Sequence, residues 1–200
     1  MSTNYAKAET LVGAVAAPLD WTRSAALVVG FSLLVALAAQ VVVPLPWTPV
    51  PLTGQTFAVL LTGALLGPRL GALAMVAYLA EGAAGLPFFR GGAGGAQHLA
   101  GPTAGYLFAF PAAAYVTGYL AERGWDRRFL TAAAAMALGS LVILAGGWAW
   151  LSVWTGSASK AFGLGVAPFL LGDVVKIALA AAALPAGWAV LRRTNARRRP

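Results

Sequence analysis

Apolar residues in this chain run in long blocks, and the polar residues collect between them. Blocks near the roughly 20 residues a helix needs to cross a hydrocarbon core predict helices that are apolar on every side. The first block runs from about Ser24 to Val43. An uncharged loop, VPLPWTPVPLTGQ, follows, in which Pro44, Pro46, Pro49 and Pro51 forbid regular helix. A short second segment, Thr53 to Leu66, ends at Gly67-Pro68-Arg69, and a third runs from Leu70 to Ala84. The stretch GLPFFRGGAGGAQHLAGPT is too glycine-rich for a simple helix. A fourth segment spans Ala104 to Leu120 and is closed by the charged residues between Glu122 and Arg128. The fifth spans Phe129 to Trp154, and the sixth Pro168 to Leu191, ahead of the basic tail RRTNARRRP. Pro68, Pro102 and Pro168 are placed to open helices, where a missing N–H does no harm. Pro111 and Pro185 fall inside segments and predict kinks.

This pattern predicts an all-α integral membrane protein with six transmembrane helices. The organisation expected is a cytoplasmic lead at 1–23, a six-helix membrane domain at 24–191 and a basic cytoplasmic tail at 192–200. Composition agrees: of 200 residues, 60% are hydrophobic and 10% charged, against about 25% charged in a soluble domain. The mean hydropathy is +0.76. With no cysteine and one histidine, His98, disulfide and thiolate chemistry is excluded and no metal site is expected. Arg23, an apolar run and then Ala36-Leu37-Ala38 also fit a cleaved signal peptide, but the lead is long and Val41 to Val43 continue the block.

The net charge of +8 takes its meaning from where the charges lie. With six spans and both termini inside, the inner side holds Lys7, Arg23, Arg69, Arg123, Arg127, Arg128, Arg192, Arg193, Arg197, Arg198 and Arg199. The outer side holds Arg90 and Lys160. That bias sets the orientation with both termini cytoplasmic. The tail reads as a topology signal and a contact for anionic membrane lipids, not as a nucleic-acid site, because no aromatics interleave its arginines.

The run 129–191 carries only three charges, Lys160, Asp173 and Lys176. The last two are three residues apart in a helical segment, so they share a face and can touch. Ionisable groups inside a membrane mark functional sites by default. Asp173 can accept from an N–H and Lys176 can donate to a carbonyl or carboxylate, a clamp for a small ligand carrying both. Secondary candidates on the same side are Glu81 at the end of the third segment, and Arg90 and Gln97 in the glycine-rich loop. His98 is a further neutral donor there, and Trp47, Phe88, Phe89 and Tyr106 are possible walls of an apolar pocket. No Walker or dinucleotide pattern completes the glycines at 91–95. No serine, histidine and carboxylate set is present, so the chain is not expected to be an enzyme. Small residues four apart, Ala26 with Gly30 and Ser32 with Ala36, permit close helix approach.

The stretch PVPLTGQTFAVLLTGALLGPRLGALAMVAYLAEGAAGLPFF, with GGAGG, GPTAGYLFAFP and PFLLGDVVK after it in order, closely resembles the BioY family. These are the biotin-specific substrate-binding (S) components of energy-coupling factor (ECF) transporters in prokaryotes. The likeness covers about residues 40–180. It implies six membrane helices, high-affinity binding of biotin from outside and residence in the cytoplasmic membrane. It also implies partners, a transmembrane coupling subunit and ABC-type ATPases, which would use the ATP; no cofactor of the chain's own is implied. The GDVVK segment puts Asp173 and Lys176 at the family's polar ligand positions, with Arg90 or Gln97 brought in by the covering loop. Relatives usually carry a smaller residue where Arg90 stands. Two other readings stay open on the residues alone: the same architecture for another small vitamin or metabolite, and a non-transporting membrane assembly subunit.

Overall fold

The structure, a computed structural model, describes residues 10–16 and 19–197; Lys7, Arg198 and Arg199 lie outside the described residues. Among the described residues eight α-helices follow one another: α1 (Leu11–Ala16), α2 (Trp21–Ala38), α3 (Gln55–Leu66), α4 (Pro68–Ala83), α5 (Ala104–Glu122), α6 (Phe129–Thr155), α7 (Ala158–Gly165) and α8 (Leu170–Arg197). α5 is the centre of the bundle and packs against α3, α4 and α6, while α8 lies on α6. Its buried face includes Phe110, Ala113, Ala114, Thr117 and Gly118. Small residues bring backbones together there: a side chain at Gly118 would run into the Gly67–Pro68 backbone. Gly67 also has φ 83°, a conformation that favours glycine. It turns α3 into α4 in one step, with Pro68 opening the second helix.

By length and composition, three helical stretches among the described residues are able to cross a membrane: Trp21–Ala38, Phe129–Thr155 and Ala158–Thr194. α6, with 27 residues, is roughly 40 Å long. α3 is apolar but shorter, at 12 residues. Helix is unbroken through Pro111 and Pro185.

Three elements depart from the hydrophobic pattern. The first block stops being helical at Ala38, and Val42–Val43 (β1) pair antiparallel with Leu52–Thr53 (β2). Pro44 disfavours helical backbone just before it, so the proline-rich loop becomes a hairpin. Part of the polar lead is helical: in α1, Thr10 Oγ1 accepts the Gly13 N–H at 3.1 Å, and Leu11 and Val12 pack against the core. Finally, α7 precedes α8, capped where Ser157 Oγ accepts the Lys160 N–H. Pro168 falls in the single tight turn between them.

Candidate functional site

One end of the bundle holds a cavity of about 690 Å³, its open mouth included. The β1–β2 hairpin supplies Val50, Pro51 and Thr53 to its wall, and the head of α3 supplies Gln55 and Thr56. Phe89, Arg90, His98 and Thr103 enter from the loop after α4, and Tyr106, Leu107 and Phe110 from α5. Ile143 and Leu144 of α6, and Phe169, Asp173 and Lys176 at the start of α8, close it. An apolar cavity with a few converging polar groups is the usual form of a small-molecule site.

Two loops cover this end, and both are fixed by side-chain hydrogen bonds. Thr48 Oγ1 donates to the Leu164 carbonyl at 2.6 Å, tying the hairpin to α7. In the loop after α4, Gln40 Nε2 donates to the Phe89 carbonyl at 3.3 Å and Tyr78 Oη donates to the Phe88 carbonyl at 3.1 Å. The same Tyr78 oxygen accepts from Gln55 Nε2 at 2.6 Å, which links the loop to the head of α3. Phe89 is buried, edge-on to Tyr78 with centroids 5.7 Å apart. It rests against Gly82, where any side chain would collide with its ring. The glycines let the loop fold back on itself, with Gly91, Gly92 and Gly95 all at positive φ.

The polar centre is the pair read from the sequence. Asp173 is 7% exposed, and its Oδ1 stands 3.8 Å from Lys176 Nζ. That is an ion pair without a direct hydrogen bond. Lys176 Nζ instead donates to Thr56 Oγ1 at 2.7 Å, and Ser140 Oγ donates to Asp173 Oδ2. Both charged groups face the cavity. Tyr106 presents its ring there while its hydroxyl donates to the Gly165 carbonyl at 2.6 Å.

The structure brings together Asp173, Lys176, Tyr106 and, at the exposed rim, Arg90. It places two other predicted residues outside the lining. Gln97 is exposed, and its Nε2 donates to the Gly94 carbonyl of its own loop at 3.0 Å. The neighbouring His98 takes the place in the wall, 6.0 Å from the Phe89 ring. Glu81 is half-buried in the last turn of α4, and its Oε2 has no hydrogen-bond partner among the described residues. Of the candidate aromatic walls, Phe89 and Tyr106 line the cavity and Trp47 is exposed. Among the described residues no cluster of three or more His, Asp or Glu side chains could hold a metal.

Sequence reading missed Ser140, Thr56 and Gln55. Ser140 is a lone hydroxyl in the apolar run ALGSLVIL, and Thr56 and Gln55 belong to the polar cluster LTGQT. A polar residue in an apolar span is the available signal, but it names no partner.

Residues 5–193 match the model of the BioY family. The chain is 44% identical to a probable biotin transporter BioY of Pyrococcus horikoshii over 79% of its own length and 91% of that protein's. It is 40% identical to the biotin transporter BioY of Thermotoga maritima over 76% of this chain and 87% of that one. Its fold matches the crystal structure of the S-component for biotin from an ECF-type ABC transporter, with a TM-score of 0.74. That match has 23% identity and covers 87% of this chain and 91% of that one. The chain belongs to the BioY family.

Proposed function

We propose that this protein binds biotin and takes it up across the cytoplasmic membrane as the substrate-specific S component of an ECF-type transporter. The observation that carries the reading is the Asp173–Lys176 pair, a buried carboxylate and a half-buried ammonium held apart at the wall of a covered cavity. Biotin's ureido ring offers N–H donors beside a carbonyl, which Asp173 and Lys176 complement. The Phe110, Phe169 and Tyr106 rings supply apolar wall for the bicyclic head. Arg90, at the exposed rim, supplies a cation for the valerate carboxylate.

In this reading α2, α3, α4, α5, α6 and α8 are the six spans, with the cavity opening outward and both termini cytoplasmic. The lead at 1–23 and the tail from Arg192 face the cytoplasm and anionic lipids. α7 lies at the outer surface. The sequence has no Walker pattern, so ATP is used by partner ABC-type ATPases through a transmembrane coupling subunit. The chain itself performs no catalysis and carries no cofactor.

The test is calorimetric titration of the purified, detergent-solubilised protein with biotin, beside Asp173→Asn and Lys176→Ala. Nanomolar binding by the parent and losses in both variants are expected. A folded parent that ignores biotin but takes up another vitamin from a competition panel would reassign the substrate. A folded parent that binds no small molecule would sink the transport reading.

A further inference from the structure

Hydroxyl side chains inside apolar helices commonly bond back to a carbonyl of their own helix. Ser32, Thr62, Thr117, Ser152, Thr155 and Thr194 do so here, each to a carbonyl three or four residues earlier. Ser140 and Thr56 do not. Ser140, on α6 and 4% exposed, reaches across to Asp173 Oδ2 on α8. Thr56, on α3, accepts from Lys176 Nζ, also on α8. Two different helices thus each take hold of one member of the pair.

The consequence lies in the gap. Charges three residues apart on a helix can close into a direct contact, yet these stand 3.8 Å apart. Thr56 draws the ammonium to one side, and Ser140 occupies Oδ2, which leaves Oδ1 as the acceptor facing the cavity. An ammonium has three donors, so Lys176 keeps two beyond the one given to Thr56. A closed pair would satisfy itself. An open pair leaves an acceptor and a donor side by side, the complement of an N–H adjacent to a C=O.

We propose that Ser140 and Thr56 are positioning residues that hold the Asp173–Lys176 pair open, so that the site selects ligands with an N–H next to a carbonyl, as in a cyclic urea. Ser140 does not line the cavity and acts only through Asp173. The proposal rests on the biotin-binding reading, and the experiment separates the two.

The test is a pair of double-mutant cycles read by biotin titration, with melting temperature measured for each variant. Ser140→Ala should weaken biotin about tenfold, the lower end of what losing one hydrogen bond to a charge produces. In the Asp173→Asn background the same change should weaken biotin by less than about twofold, because a residue acting through another has no separate effect once that other is altered. Thr56→Val, close in shape, is expected to behave in the same way against Lys176→Ala. Ser140→Cys keeps the volume with a weaker donor and gives an intermediate loss, so the cycle stays readable if Ser140→Ala does not fold. Affinity unchanged in Ser140→Ala and Thr56→Val, or losses that add fully in the double variants, overturns the proposal while leaving biotin binding intact. A folded parent without biotin binding overturns both readings.

Discussion

Two aspartates are buried among the described residues, near opposite ends of α8, and of the two Asp173 lines the cavity. Asp173 lines a cavity from the first turn of the helix, with Lys176 Nζ 3.8 Å from its Oδ1. About 22 Å further along the axis, Trp188 Nε1 donates to Asp126 Oδ2 at 2.6 Å. Asp126 comes from the turn between α5 and α6 and is 1% exposed. Its Oδ1 is buried with no hydrogen-bond partner among the described residues. The Arg127 guanidinium lies over the Trp188 ring, 4.7 Å from its centroid. Each carboxylate takes a hydrogen bond from another helix, so burial and a tertiary donor do not distinguish them. What does is access: the first acceptor opens on space a ligand can fill, and the second is sealed as a clamp between the α5–α6 turn and α8.

The comparison breaks most sharply on binding. Asp173→Asn should weaken biotin roughly 10–150-fold, from the loss of a hydrogen bond to a charge. Asp126→Asn should leave affinity within about twofold; a comparable loss there, measured by the same titration, would erase the distinction between the two carboxylates.

Stability should show the reverse. Trp188→Phe leaves a second Asp126 oxygen without its donor and should cost about 1–3 kcal/mol, read as chemical denaturation in detergent, with biotin binding unchanged.

The pH dependence of that stability sharpens the contrast. Desolvation raises the Asp126 pKa above its ordinary value of 3.8, against the opposing pull of the Trp188 hydrogen bond and Arg127. The folded state therefore binds the proton more tightly than the unfolded chain. Stability from this group is present below the ordinary value and falls as pH rises through the raised one. Asp126→Asn should lack that fall, so the two melting curves should diverge as pH increases; parallel curves would show that the carboxylate is not desolvated.

The smallest effects separate two loop residues. Arg90→Ala, at the cavity rim, should weaken biotin a few-fold, in line with an exposed charge contact of up to about 1 kcal/mol. Gln97→Ala, whose amide serves its own loop, should stay within about twofold. A larger loss for Gln97 would mean that the loop rearranges around the ligand.

Much of the architecture is legible in the sequence, because membrane burial imposes a demand that composition reveals directly. Apolar blocks became helices, and glycine and proline marked the turns at Gly67-Pro68 and in the loop after α4. The pattern failed where backbone chemistry and hydrophobicity disagree. Val42 and Val43 are as apolar as a membrane helix requires, yet the prolines that follow made them a strand. α1 and α7 were missed because helices of 6 and 8 residues are too short to stand out as blocks of their own.

The sequence by itself determined the apolar helices, the charge bias between their ends and the Asp173–Lys176 pair, since each depends on local composition or on the fixed three-residue spacing of one helix. Only the tertiary structure decided that Asp126 is buried, that His98 and not Gln97 joins the wall, and that Ser140 and Thr56 hold the pair. Those partners come from 33 and 120 residues away along the chain. Which side chains meet across such distances is set by helix packing, and no local pattern encodes it.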